Sequence, residues 1–260
     1  MVNIELDEIE QAWRDSAISK VPPSDLLLVT DFDGTLSEIG PNPTQSEALP
    51  EALSALRRLV ALFKEVVVLS SRTGDDLGRL VPVRGVRLIP DSGLVPSPSA
   101  RAALERFNVE AARLLNDIPG VWLEVKPAST AIHIRHSPVS GNEVVERLRP
   151  LLDAGNLSGA VGRKVIEVHS PAANKGTTLA GLLGELEPGG LIAMGDDEND
   201  RPVFGLVSTL STPHLAVGVS SAEVAPDLFE HCDLVVSGPR EAVVFLQRVV
   251  DWVSDSVASR

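Results

Sequence analysis

The chain has no tyrosine and a single cysteine, and its 260 residues hold only six Phe and three Trp. One thiol, Cys232, leaves no internal disulfide to form and no Cys-based zinc site, which fits a reducing compartment. No apolar run approaches the ~18 residues that would cross a bilayer. Basic charge is also scarce: 23 Lys and Arg stand against 36 Asp and Glu, a formal charge of −13. No cluster of Lys and Arg is dense enough to offset it, which argues against nucleic acid or an anionic membrane as partner. The first residues, MVNIELDEIEQAW, carry acids where a secretory signal needs a basic start and an apolar core. A soluble, cytoplasmic, globular protein is expected, with oligomeric state left open. At about 150 residues per domain, the length allows one large domain or two modest ones.

What is present is an alternation of short apolar runs and helical spacing. A short amphipathic helix over residues 1–20 (Ile4, Ile9, Ala12, Trp13, Ala17) is broken by Val21-Pro22-Pro23. LLLVTDF then reads as a buried strand, the segment from Ser46 to Phe63 as a helix, and EVVVLSS and VRLIP as further strands. Near the end, helical NKGTTLAGLLGEL, strands LIAMGDD, HLAVGVS and CDLVVSG, and a helix from Arg240 to Val257 continue the pattern. The implied fold is α/β, a doubly wound parallel sheet. The middle differs. A helix (Ser99–Asn116), strands VWLEVK and STAIHIRH, a helix (Gly141–Leu152) and strand KVIEVHS predict a small α+β domain with an antiparallel sheet. It is expected to span 96–169 as an insertion, leaving 1–95 and 170–260 as one discontinuous core.

Four motifs carry chemistry. Asp31-Phe32-Asp33-Gly34-Thr35 ends a buried strand. One carboxylate, Asp31, can attack phosphorus, and Asp33 can protonate a leaving alkoxide and then activate water. Two anions beside a phosphate require a hard divalent cation, and Mg²⁺ fits oxygen ligands. A plain Asp-Gly turn is the competing explanation. Ser70-Ser71-Arg72 also follows a strand, where a hydroxyl and backbone N–H groups can hold phosphoryl oxygens, although Ser70 could equally cap a helix. Lys175 opens a helix, an unfavourable place for a cation that calls for a charge partner; a solvated surface lysine is the alternative. Gly195-Asp196-Asp197-Glu198-Asn199-Asp200 looks like metal ligation with support behind it, or else an exposed acidic loop.

In this order the four motifs resemble the haloacid dehalogenase superfamily of aspartate-nucleophile phosphatases, over nearly the whole chain. The resemblance implies a Rossmann-like core with Asp31 as nucleophile and metal ligand, and Asp33 as acid/base that ligates through its carbonyl. It also implies that Ser70 and Lys175 hold the phosphoryl group, and that Asp196 completes a Mg²⁺ site backed by Asn199 or Asp200. The insertion between Ser70 and Lys175 falls where the superfamily places its C2 cap, which usually serves sugar phosphates. Within it, Trp122-Leu-Glu124-Val-Lys126, Ile132-His133-Ile134-Arg135 and Val165-Ile-Glu167-Val168 resemble trehalose-6-phosphate phosphatases. There the matching Glu-x-Lys, His-x-Arg and Glu strands line the sugar pocket, so Arg72, Glu124, Lys126, His133, Arg135 and Glu167 are expected to bind substrate. Glu124 and Lys126, two apart on a strand, share a face and could meet adjacent hydroxyls; a cross-strand salt bridge on an exposed face is the alternative. The chain departs from that family at Ser71 (usually Gly), at Asn199 and Arg201 (usually Thr and a sugar-holding Glu), and at Asp91-Ser92-Gly93-Leu94 (usually Gly-x-His-Gly).

His133 and His136, read as one strand, fall on opposite faces and cannot share a metal; His169, His214 and His231 show no ligand spacing. The implied activity is hydrolysis of a small-molecule sugar phosphate, trehalose 6-phosphate first. Another sugar phosphate (glycosyl-phosphoglycerate, sucrose phosphate or a Cof-like substrate) or a non-catalytic binding homologue are the alternatives.

Overall fold

The computed structural model describes residues 6–40, 46–162 and 164–258. Ile4 of the expected first helix lies outside them. The first stretch runs α1 (Leu6–Asp15), β1 (Leu26–Thr30), α2 (Pro50–Val60), β2 (Glu65–Leu69), α3 (Gly74–Leu80) and β3 (Arg87–Ile89). Next come α4 (Pro98–Leu115), β4 (Trp122–Val125), β5 (Thr130–His133), α5 (Gly141–Gly155), β6 (Ser158–Val161) and β7 (Val165–His169). The chain closes with α6 (Lys175–Leu186), β8 (Gly190–Gly195), α7 (Arg201–Val207), β9 (His214–Ser220), β10 (Leu234–Ser237) and α8 (Gly238–Ala258).

Six strands form one parallel sheet in the order β10-β9-β8-β1-β2-β3. Both faces are covered, which is why its strands read as continuous apolar runs. Alternation is still visible along β1. Leu26 and Leu28 join Leu56, Phe245 and Val249 on one side, whereas Leu27 and Val29 join Leu179, Leu182 and Phe204 on the other. From β1 the chain winds outward through β2 and β3, and from β8 it winds the opposite way through β9 and β10. Strand order therefore reverses between β1 and β8, and the crevice at their carboxyl ends is where ligands bind in such sheets. Asp31 N–H donates to the Met194 carbonyl at 2.9 Å, so the ends of these two strands lie side by side.

The second sheet is antiparallel, in the order β4-β5-β7-β6, and α4 and α5 pack against it through Phe107, Ala111, Leu148, Ile132 and Ile166. It has four strands where the sequence suggests three. The additional one, Ser158-Gly-Ala-Val161, is short, half-buried and holds small residues of low strand propensity, so it carries no recognisable alternation. The short α7, opened by Pro202 directly after the acidic turn, is likewise absent from the sequence pattern. The helix expected from Ser46 starts at Pro50, because Ala48 is drawn into a bridge with Ser37 and Pro50 sets the first helical turn. His136 lies beyond the end of β5, so the opposite-face argument does not apply to it.

Candidate active site

The switch point gathers buried carboxylates around one ammonium. Lys175, the first residue of α6, is buried, and its Nζ sits 3.0 Å from Asp31 Oδ1 and 2.7 Å from Asp200 Oδ1. This is the charge partner that a lysine at a helix start requires. Burial works to lower the Lys175 pKa, but Asp200 and Asp31 outweigh it and keep the ammonium charged. For Asp31 burial is the largest influence and raises its pKa; Lys175 opposes, Asp200 and Asp33 add, and the carboxyl is pushed up to about 7.

Asp196 is fully buried just past β8. Asp31, Asp196 and Asp200 each bring a carboxylate oxygen to within 4.8 Å of the others. Gly34 makes this approach possible. Its φ is +75°, and a Cβ there would stand 2.0 Å from Asp196 Oδ2, so no other residue fits beside the acid. Asp200 is a strut: Oδ2 accepts the backbone N–H of Asp196 (3.0 Å) and Asp197 (3.2 Å) while Oδ1 meets Lys175. Three buried carboxylates against one ammonium leave an excess of negative charge with oxygen donors only, a set suited to a hard divalent cation.

Asp33 points its carboxylate at Arg72 in a two-pronged pair, Nε to Oδ2 at 2.7 Å and Nη2 to Oδ1 at 2.8 Å. Arg72 also reaches Ser46 Oγ at 2.8 Å and Asp76 at 3.4 Å. Sequence reasoning assigns Arg72 to the substrate; here it lines the cavity with its fork on Asp33. Ser70 is buried behind the cavity wall, its Oγ accepting the Arg72 N–H at 3.3 Å, and its neighbour Ser71 lines the cavity instead. The helix-capping alternative for Ser70 fails, because Thr73 caps α3.

Over these residues lies a cavity of about 370 Å³, roofed by one face of the antiparallel sheet. Register explains the roof. Trp122 faces His133, Glu124 faces Ala131, and these face Val165 and Glu167 in turn, so all six point to one side. Glu124 and Lys126 do not pair with each other. Glu124 Oε2 is 2.8 Å from His133 Nε2, and this bond holds its carboxyl below the usual range. Lys126 Nζ donates to the Ser71 carbonyl at 3.0 Å and lies 3.5 Å from Glu167, which accepts from Ser129 Oγ. Both side chains thus pair across strands, as the salt-bridge alternative has it; Lys126 is buried, whereas Glu124 keeps 39% of its side chain exposed. Arg135, Asp197 and Asn199 line the cavity as well.

Two roof residues escape the sequence reading. Trp122 shares the period-two face of Glu124 and Lys126, a signal available in the sequence. Lys164 lines the cavity from a turn at φ +59°, which no pattern announces. Arg201 stays outside the cavity wall, bound to Glu198 at 2.7 Å and Asp227 at 3.1 Å.

A model of the trehalose-phosphatase family matches residues 29–228. The bifunctional trehalose-6-phosphate synthase/phosphatase of Thermoproteus tenax is 34% identical over 197 residues, 68% of this chain and 26% of that protein. The trehalose-phosphate phosphatase of Mycobacterium tuberculosis is 32% identical over 202 residues, 70% of this chain and 51% of that protein. The chain therefore spans about a quarter to a half of the length of these curated relatives. Among solved structures, the C-terminal domain of C. albicans trehalose-6-phosphate phosphatase shares the fold, with a TM-score of 0.76 at 18% identity over 96% of this chain and 97% of that one. From the motif at the end of β1, through the acidic turn after β8, to the segment that follows β9, the chain belongs to the trehalose-phosphatase family.

Proposed function

We propose that this chain is a Mg²⁺-dependent phosphomonoesterase that converts trehalose 6-phosphate and water to trehalose and phosphate. The observation that carries the reading is the buried Asp31–Lys175–Asp196–Asp200 cluster at the sheet's switch point, open to a cavity roofed by sugar-compatible polar groups. In this reading 1–95 and 170–260 form the catalytic core and 96–169 the cap. The protein acts on a small molecule in the cytoplasm.

An Asp31 carboxylate oxygen attacks phosphorus, and the bond to the sugar oxygen breaks as that oxygen takes a proton from Asp33. Water then attacks the aspartyl phosphate, giving its proton to Asp33, and phosphate leaves with Asp31 restored. Lys175 offsets charge on Asp31 and on the phosphoryl oxygens, and Ser70 supports the loop against which those oxygens rest. Arg72 holds the Asp33 carboxylate in place between steps. Mg²⁺, held by Asp31, Asp196 and the Asp33 carbonyl with Asn199 and Asp200 behind, would neutralise charge that otherwise repels the phosphate. Glu124, Lys126, His133, Arg135 and Glu167 meet the sugar hydroxyls.

A phosphate-release panel over about a dozen sugar phosphates, with and without EDTA, tests this. The highest kcat/KM is expected for trehalose 6-phosphate, and EDTA should abolish turnover. Full activity in EDTA, or a different sugar phosphate well ahead of trehalose 6-phosphate, would overturn the metal or the substrate assignment respectively.

A further inference from the structure

The chain keeps its scarce aromatic rings in the interior, with an exception at the cavity. Trp13 is buried and stacks on Trp252, ring centroids 5.3 Å apart. Trp122 instead leaves 49% of its surface exposed while lining the cavity. Among the described residues, the other exposed large apolar side chains, Val95, Val109, Leu114 and Val125, stand outside the cavity wall. The Trp122 indole is also held rigid. Directly opposite it on β5, the His133 ring stacks on it at 3.8 Å with 8° between the planes, and Glu124 holds His133 Nε2 at 2.8 Å.

A large ring fixed in advance, beside a carboxylate on the same strand face, suits a pyranose. The C–H surface of the sugar covers the indole, and the hydroxyls at its rim find acceptors. Covering exposed aromatic surface is favourable, and little side-chain freedom remains to be lost. Position along the strand decides which sugar ring this serves. Lys126, just past the other end of β4, is where this strand touches the core through the Ser71 carbonyl, while the far edge of the roof meets the core at Gly162 and Asp197. Four residues at about 3.3 Å each put Trp122 about 13 Å along the strand from Lys126. A phosphate at Asp31 leaves its own ring beside Lys126 and Glu124, and Trp122 faces whatever is attached beyond it.

We propose that Trp122, braced by His133, is a stacking platform for the second ring of the substrate, so that the site selects disaccharide monophosphates over hexose phosphates. The proposal rests on the sugar-phosphatase reading above and deepens it.

The test measures kcat/KM for trehalose 6-phosphate and for glucose 6-phosphate on the wild type, W122A, W122F and V95A. W122A should shrink the preference for the two-ring substrate roughly tenfold. W122F should recover most of that loss, and V95A should match the wild type. Because the ratio is taken within one preparation, a misfolded fraction cancels. In parallel, titration with trehalose should change the intrinsic fluorescence of the wild type and leave that of W122F unchanged. An unaltered ratio in W122A, an equal loss on both substrates, or a fluorescence response that survives in W122F overturns the platform. If the wild type instead prefers sucrose 6-phosphate and that preference needs Trp122, the platform stands and only the trehalose assignment falls. If no sugar phosphate is hydrolysed, the enzymatic reading fails, and the fluorescence titration still decides whether Trp122 meets the disaccharide.

Discussion

Asp31→Asn exchanges one carboxylate oxygen for an NH₂ and should move activity and stability in opposite directions. An amide cannot attack phosphorus, so phosphate release should vanish. The stability argument starts from the cluster, in which Asp31 and Asp200 share the ammonium of Lys175 and Asp196 brings a third buried carboxylate beside them. In the folded, metal-free protein the Asp31 carboxyl keeps its proton up to about pH 7, whereas its ordinary value is 3.8. Between those two values the native state binds more protons than the unfolded chain, so raising the pH withdraws stability and the loss is complete above about 7. A displacement from 3.8 to about 7 corresponds to at most about 4 kcal/mol. The amide carries no charge at any pH and should not show this slope, while the Lys175–Asp200 pair at 2.7 Å survives. Urea unfolding in EDTA from pH 5 to 9 is the assay. The Asp31→Asn variant should exceed the wild type at pH 8 by about 1–4 kcal/mol and approach it at pH 5. Added Mg²⁺ should reverse the order, because only the wild type retains the ligand. If the variant is less stable than the wild type in EDTA at pH 8, the cluster is a net-stabilising ion-pair network and the reasoning fails. Turnover by the variant would end the covalent mechanism.

Asp33→Asn removes the proton carrier, and turnover of a sugar phosphate with its poor leaving group should fall roughly 10²-fold or more; a smaller loss in steady-state kinetics argues for a different acid. Gly34→Ala would drive a Cβ to 2.0 Å from Asp196 Oδ2 at φ +75°. The Mg²⁺ concentration for half activity should rise about tenfold or more, since roughly 1.4 kcal/mol of displacement suffices, and an unchanged metal requirement would mean Asp196 is no ligand. Arg201→Ala should leave the ranking of sugar phosphates unchanged, because its ion pairs to Glu198 and Asp227 lie outside the cavity wall. At this exposure those pairs contribute at most about 1 kcal/mol, so a substrate panel that reorders would show that Arg201 reaches the sugar.

The core was legible because its strands are buried on both faces. Runs such as Leu26–Thr30 read as nearly continuous apolar strands, and their alternation with helices implied the parallel sheet, whereas the strand order and its switch point between β1 and β8 come from the structure. The small sheet was harder. One of its strands, Ser158–Val161, holds small, half-buried residues, and it is recognisable only once Val165–His169 lies beside it. The same limit applies to α7, whose seven residues are set by packing of Val203, Phe204 and Val207 rather than by their own propensity.

At the site, spacing conveys identity but not engagement. That Asp31, Asp33 and Asp196 follow strands and Lys175 opens a helix is legible in the sequence; that the four would converge is what the family resemblance implied. That Arg72 would close its fork on Asp33 does not, because the two lie 39 residues apart on neighbouring strand ends and the bond depends on how far each loop travels. Glu124 and Lys126 show the same limit within one strand. Their common face is fixed by the period of two, but their partners come from β5, β7 and the loop after β2, which only register and docking can supply. Arg201 illustrates the converse. In a one-dimensional comparison it opposes a sugar-holding Glu, and the charge reversal suggests a different substrate. In three dimensions Glu198, one helical turn earlier, and Asp227 draw the guanidinium outward, so the altered residue is withdrawn from the cavity and not inverted within it. Substrate choice then falls to groups that do line the roof, and among these Trp122 offers what a change of charge cannot, a flat apolar surface at the height of a second ring.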